Sequence, residues 1–268
     1  MAIAAKRKQF LYIGGTIFAA IALLVYLGTQ EYAPETAAPA AEASAPVNPL
    51  ALTQSEQITL GLKAAPALVA QYDGISTNQQ QKDLIMRVGS AIAGNEAVAK
   101  AGWKFHFQLL AEPDILNAFA LPGGQIFVTT GLLNRLTTEG EVAALLAQQI
   151  AHVMNRDAIT KLAADMASSG LASSGANMQE VMVSQLVGLT FTTAQEAAAD
   201  QMAIKLVYET GYNPNALLGL MKILATAYYA GAQVEYFTTH PNAADRVKAI
   251  QQGIATAYPE GVPDTMSK

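Results

Sequence analysis

From Phe10 to Leu27 the chain reads FLYIGGTIFAAIALLVYL, an apolar run without a charged residue. At about 1.5 Å per residue, a helix of this length nearly spans a bilayer core of about 30 Å. The pattern then changes, because Ala33 to Leu50 is rich in alanine and proline, cannot bury a core, and reads as an extended tether. Beyond it, apolar residues at helical spacing predict helices over Thr53 to Tyr72, opened by a Thr or Ser cap, and over Gln81 to Ala93. Trp103 to Leu109 alternates with period two. Gln125 to Thr130 is β-branched and aromatic and follows a Pro122-Gly123-Gly124 turn, so both predict strands of one small sheet. A capping box of Thr138 and Glu141 opens a third helix, which the pattern carries without interruption to Ala167. Its middle is apolar on nearly all sides, which places it inside the domain. The Ser168 to Asn177 stretch breaks the pattern as a loop. Further helices are expected over Thr193 to Thr210, stopped by Gly211, over 214–230, and over Ala243 to Gln252 after His240-Pro241. There is no internal repeat.

Composition changes the picture in two ways. The chain has no cysteine, 51% hydrophobic and 14% charged residues, so it is neither a disulfide-stapled module, a thiolate metal site nor a disordered chain. Its net charge of −5 comes without a basic stripe interleaved with aromatics, which speaks against nucleic acid as a partner. Charge also orients the apolar run. Lys6, Arg7 and Lys8 precede it and Glu31, Glu35 and Glu42 follow, so the positive-inside rule keeps residues 1–9 in the cytoplasm. The expected layout is an inner-membrane anchor over 10–28, a linker over 29–50 and one extracytoplasmic (periplasmic) domain over 51–268. A cleaved signal peptide competes with this reading, but the run exceeds the usual h-region and Gly28 to Tyr32 offers no small-x-small site.

The chain has three histidines. His106 falls on the polar side of a predicted strand and reads as an exposed strand histidine. On the buried helix, Gln148 and His152 are four residues apart and share one face, with Gln149 beside them. Glu196 and Asp200 repeat that spacing on a later helix.

These residues sit in a longer pattern that resembles the HtpX-like and CaaX-prenyl-protease-like zinc metallopeptidases (peptidase family M48), including their periplasmic branch. The resemblance is carried by NAFALPGGQIFVTTGLL from Asn117 to Leu133, the helix from Glu141 to Arg156, Glu196-Ala-Ala-Ala-Asp200, Gly211-Tyr-Asn-Pro214, and Thr239-His-Pro241 followed by Arg246. It implies an α+β, mostly helical fold: a gluzincin-type domain with a small β-sheet at the cleft edge, preceded here by the transmembrane helix. It also implies an HExxH zinc site, but the motif reads QQIAH. By position, Gln148 stands in place of a histidine ligand and Gln149 in place of the catalytic glutamate, while His152 keeps its identity. Glu196 matches the glutamate ligand, Asp200 the carboxylate that orients the missing histidine, and His240 a downstream histidine near the metal. Gln125, Ile126, Phe127, Val128 and Thr129 match the strand at the cleft edge that holds extended substrate by strand addition.

The chemistry of the two replacements sets the expected function. A carboxamide oxygen is a poorer zinc donor than imidazole, so the zinc that the family implies should bind weakly or not at all. A glutamine cannot take the proton from a metal-bound water, and a general base contributes about 10² to 10⁴ in rate. In exchange, Gln148 can donate a hydrogen bond to Asp200 or Glu196 and clamp two helices without a metal. The leading expectation is a membrane-anchored pseudopeptidase that binds extended or unfolded polypeptide, as a chaperone, assembly or quality-control factor. The alternatives are an active zinc metalloendopeptidase with a divergent site, and a structural subunit of a larger membrane complex.

Overall fold

Helix α5 (Glu139–Met154) organises the fold, because every position from Gly140 to Val153 is buried. Thr138 and Glu141 close the expected capping box at its start, each side chain accepting from the other's backbone N–H. The computed structural model describes residues 49–169, 177–241, 243–263 and 266. The expected anchor over 10–28 and nearly all of the linker lie outside the described residues, as does most of the Ser168 to Asn177 loop. Among the described residues, no helix is long and apolar enough to cross a membrane.

Ahead of α5 come α1 (Gln54–Gln71), α2 (Gln79–Ala93), α3 (Glu96–Lys100), strands β1 (His106–Leu110), β2 (Ala118–Leu121) and β3 (Gln125–Thr129), and α4 (Thr130–Leu133). After it come α6 (Asp157–Ser169), α7 (Met178–Leu186), α8 (Thr193–Glu209), α9 (Ala216–Tyr229), α10 (Tyr236–Thr239) and α11 (Ala243–Ala257). The sequence pattern located α1, α2, α8, α9 and α11, with ends displaced by a few residues. It missed β2 and the short helices α3, α4, α7 and α10, whose four to nine residues leave too few turns for a period to register.

Two expectations are corrected. The long helix predicted to run to Ala167 is two helices, because Asn155 caps α5 and Arg156 turns to a left-handed φ of 57° before α6 begins. The Arg156 guanidinium bonds the carbonyls of Leu50 and Leu52 at 3.2 and 3.1 Å, which holds that turn against the domain's entry segment. The second correction concerns the segment from Gln125 to Thr129. The sheet order is β1-β3-β2, with β1 parallel and β2 antiparallel to β3. Gln125, Ile126, Phe127, Val128 and Thr129 therefore form the central strand, paired on both sides, and cannot accept a further strand. The outer strand on that side is β2, whose four residues are buried.

The sheet alternates between two apolar clusters, as period two requires. Leu109, Ile126 and Val128 join α2, α5, α8 and α9 in one cluster, while Phe119, Leu121 and Phe127 join α1, α6 and α7 in the other. The β2-to-β3 turn is locked against α1. Gly123 has φ +82°, and a Cβ there would lie 2.3 Å from the Ile58 Cα. Gly211 has φ +87° with nothing near its Cβ position. Gly123→Ala should therefore cost at least about 1 kcal/mol more than Gly211→Ala in urea unfolding, since backbone strain is common to both and the clash is not.

Candidate functional site

The site is assembled where α8 crosses α5. Gln148 and His152 lie on the face of α5 turned to α8, whose first turns carry Glu196 and Asp200, and the α10–α11 corner adds Tyr236, His240 and Arg246. All are buried. Carboxylates in such a place need partners, because an unpaired buried charge is costly. Arg246 supplies two of them. Its Nε and Nη2 donate to the Asp200 oxygens at 2.8 and 2.7 Å, and its Nη1 lies 2.9 Å from Glu196 Oε2.

The two glutamines join the remaining groups. Gln148 Nε2 donates to Glu196 Oε2 at 3.0 Å, and the Tyr236 hydroxyl donates to Gln148 Oε1. Gln149 Nε2 lies 3.2 Å from Gln148 Oε1 and 3.3 Å from His240 Nε2. A hydrogen-bonded chain thus links α5 to α8 through Glu196, while Asp200 is held by Arg246 instead of by Gln148. The carboxamide in the general-base position bonds a neighbouring amide and an imidazole.

The break after α5 has a consequence here. In a continuous helix, residues five apart point about 140° away from each other. The Arg156 turn brings Asp157 back, and its Oδ2 lies 2.8 Å from His152 Nδ1. That bond fixes the imidazole so that Nε2 carries the free lone pair. Aromatic rings complete the enclosure: Tyr236 stacks on His240 with centroids 4.2 Å apart, and Phe191 stacks on His152 at 4.1 Å.

Burial sets the proton affinities. It pushes the Glu196 carboxyl up to about 8, against the opposing pull of the Arg246 guanidinium. It also lowers His152, although Asp157 works the other way, and lowers His240 well below the ordinary histidine range with His152 and Arg246 adding to the effect. Both imidazoles are neutral at pH 7, as metal ligands must be, whereas Glu196 would give up its proton to a cation.

The residues fit a small divalent cation. His152 Nε2 and Glu196 Oε1 are buried atoms without a hydrogen-bond partner, and they face each other across 3.7 Å. One ligand atom from each of His152, Glu196 and His240 lies within 4.8 Å of the others, and His240 Nε2 would exchange its contact with Gln149 Nε2 for the cation. Tetrahedral zinc at about 2.0 to 2.2 Å from its donors needs them roughly 3.3 to 3.6 Å apart, so small shifts suffice. Each donor residue is also held through its other polar atom: His152 by Asp157, Glu196 Oε2 by Gln148 and Arg246, and His240 Nδ1 by Thr239 Oγ1 at 2.8 Å. When bound there, zinc would act as a Lewis acid towards an added oxygen ligand. Gln148 adds no donor, since its carbonyl already accepts from Tyr236 and Gln149.

The sequence thus placed Gln148, Gln149, His152, Glu196, Asp200 and His240 in one buried cluster, while His106 lies apart and exposed. It gave no role to Asp157, Tyr236 or Phe191. The spacing of Tyr236 and His240, four apart, was a usable signal, but Asp157 became a partner only through the helix break.

The model for Peptidase family M48 matches residues 78–254. The mitochondrial metalloendopeptidase OMA1 of Schizosaccharomyces pombe is 28% identical over 182 residues, covering 65% of this chain and 53% of its own length. The beta-barrel assembly-enhancing protease of Yersinia pestis is 27% identical over 175 residues, covering 55% and 35%, and that of Escherichia coli K12 is 28% identical over 155 residues, covering 51% and 32%. The chain spans about a third to a half of the length of these relatives.

Two measurements test the site. In competition with a chromophoric chelator, Asp157→Asn should weaken zinc binding about 10- to 100-fold, and Gln148→His should strengthen it. In excess chelator, stability should fall as pH rises from about 7 to about 8, by about 1 kcal/mol. Folding holds the Glu196 proton that the unfolded chain has already released, and the opposing rise from the two buried histidines, centred on about 6.5, is nearly complete below that window. Urea unfolding of Glu196→Gln across the same range should show this slope removed.

Proposed function

The chain belongs to peptidase family M48, and from that premise we propose that it is a catalytically impaired member that binds extended polypeptide without cutting it. One observation carries the reading. The residue in the general-base position is Gln149, whose amide bonds Gln148 and His240. Among the described residues no neighbouring carboxylate replaces it: Asp157 is engaged by His152, Asp200 by Arg246, and Glu196 by Gln148 and Arg246. A cation held by His152, Glu196 and His240 would polarise an oxygen, yet among the described residues no carboxylate beside it is free to take the proton.

The binding half of the activity rests on β2. Thr129 N–H donates to the Asn117 carbonyl at 3.0 Å, so in the antiparallel ladder the backbone groups of Ala118 and Ala120 turn away from β3. Ala118 N–H is satisfied by Asn117 Oδ1 at 2.8 Å, leaving the Ala118 carbonyl and both Ala120 groups to pair with an added strand. This edge adjoins His240 and Thr239. Strand addition there gives affinity through the main chain and tolerates many sequences, as a chaperone, assembly or quality-control factor needs. The charge pattern around residues 10–28 supports an inner-membrane anchor with the domain outside the cytoplasm.

A second reading, an active zinc metalloendopeptidase, is favoured by the converging donors of His152, Glu196 and His240. Digestion of casein with and without chelator separates the two. The wild-type chain should give no chelator-sensitive cleavage, and a Gln148→His/Gln149→Glu double variant should gain it by about 10²-fold or more. Chelator-sensitive cleavage by the wild type, abolished in His152→Ala, would establish the second reading instead.

A further inference from the structure

The segment from Val187 to Thr192, which joins α7 to α8, lies across the cleft. Phe191 is buried with its ring flat on His152, and its edge meets His240 with centroids 5.4 Å apart. Its N–H donates to the Thr239 carbonyl at 3.0 Å, and Thr190 Oγ1 donates to the Thr238 carbonyl at 3.3 Å. Leu186, Leu189 and Phe191 face β2 across a cavity of about 20 Å³. That volume admits one water and no side chain. The strap is lightly tied: Gly188, at φ +88°, has nothing within 4 Å of its Cβ position, Thr190 is half-buried, and Phe191 is the one fully buried side chain of the segment.

We propose that Leu189-Thr190-Phe191 is an internal stand-in for the client, and that the client which displaces it is an extended segment with a large apolar, preferentially aromatic, side chain flanked by uncharged residues. This rests on the reading of β2 as a polypeptide-binding edge. The space that Phe191 vacates has the His152 face on one side and shares its cavity with Ala118, Ala120 and Leu121, so it is the size of a phenyl ring, and no Asp, Glu, Lys or Arg lines that cavity among the described residues. Aromatic rings pair well with an imidazole face, whereas a carboxylate or ammonium placed there would be desolvated without compensation. Apparent client affinity is reduced by the fraction of molecules in which the strap is closed.

The test uses the full chain in detergent and two fluorescein-labelled peptides of Ser, Thr and Ala, one with a central Phe and one with a central Asp. Phe191→Ala should bind the Phe peptide at least about tenfold more tightly than wild type, by anisotropy, and should leave the Asp peptide weak. In the unmutated chain, the Phe191 amide should exchange hydrogen faster when the Phe peptide is added, a readout that does not depend on the variant folding. Equal binding by wild type and Phe191→Ala, or indifference to the central residue, would overturn the strap while leaving the polypeptide-binding reading in place. Failure of both folded proteins to bind either peptide would overturn that reading and the strap with it.

Discussion

Everything in this domain has to accommodate one constraint, the dry crossing of α5 and α8, where three carboxylates and two imidazoles are held away from water. Asp157, Glu196 and Asp200 cannot sit there alone. The surrounding structure exists in good part to partner them: the α5–α6 break delivers Asp157 to His152, and the α10–α11 corner delivers Arg246 to Asp200 and Glu196. The capping boxes and apolar faces of the helices hold these elements at the distances the ion pairs need.

Against that constraint, the two glutamines tie the site together by hydrogen bonds. Gln148 keeps a tie between α5 and α8 by donating to Glu196 while Tyr236 supports its carbonyl. Gln149 fills its place with an amide that satisfies an imidazole. A carboxamide matches a carboxylate in shape, but its nitrogen donates where a carboxylate oxygen only accepts, and it has no basic oxygen. The packing therefore survives a change that removes the proton acceptor. The unpartnered His152 Nε2 and Glu196 Oε1 mark what the glutamines do not fill.

The same crossing links recognition to the site. His240 belongs at once to the amide chain, to the ring stack with Tyr236 and to the wall of the β2 cleft. Phe191 covers the neighbouring imidazole. On the proposed reading, a polypeptide entering beside β2 would meet the buried polar cluster through aromatic faces, not through exposed charge.

By itself the sequence determined the helical elements long enough to show a period, the capping box at Thr138, the burial of α5, and the membership of Gln148, Gln149, His152, Glu196, Asp200 and His240 in one site. These follow from local spacing and from a family pattern, both of which are carried along the chain. Only the tertiary structure decided that Gln125 to Thr129 is an inner strand and β2 the edge, because strand order depends on pairing between segments whose local patterns look alike. It also decided that Asp157, Tyr236 and Arg246 partner the site and that Phe191 closes it. Those contacts arise from a left-handed turn at Arg156 and from distant segments meeting across a core, and no periodicity along the chain records where a buried charge will find its partner.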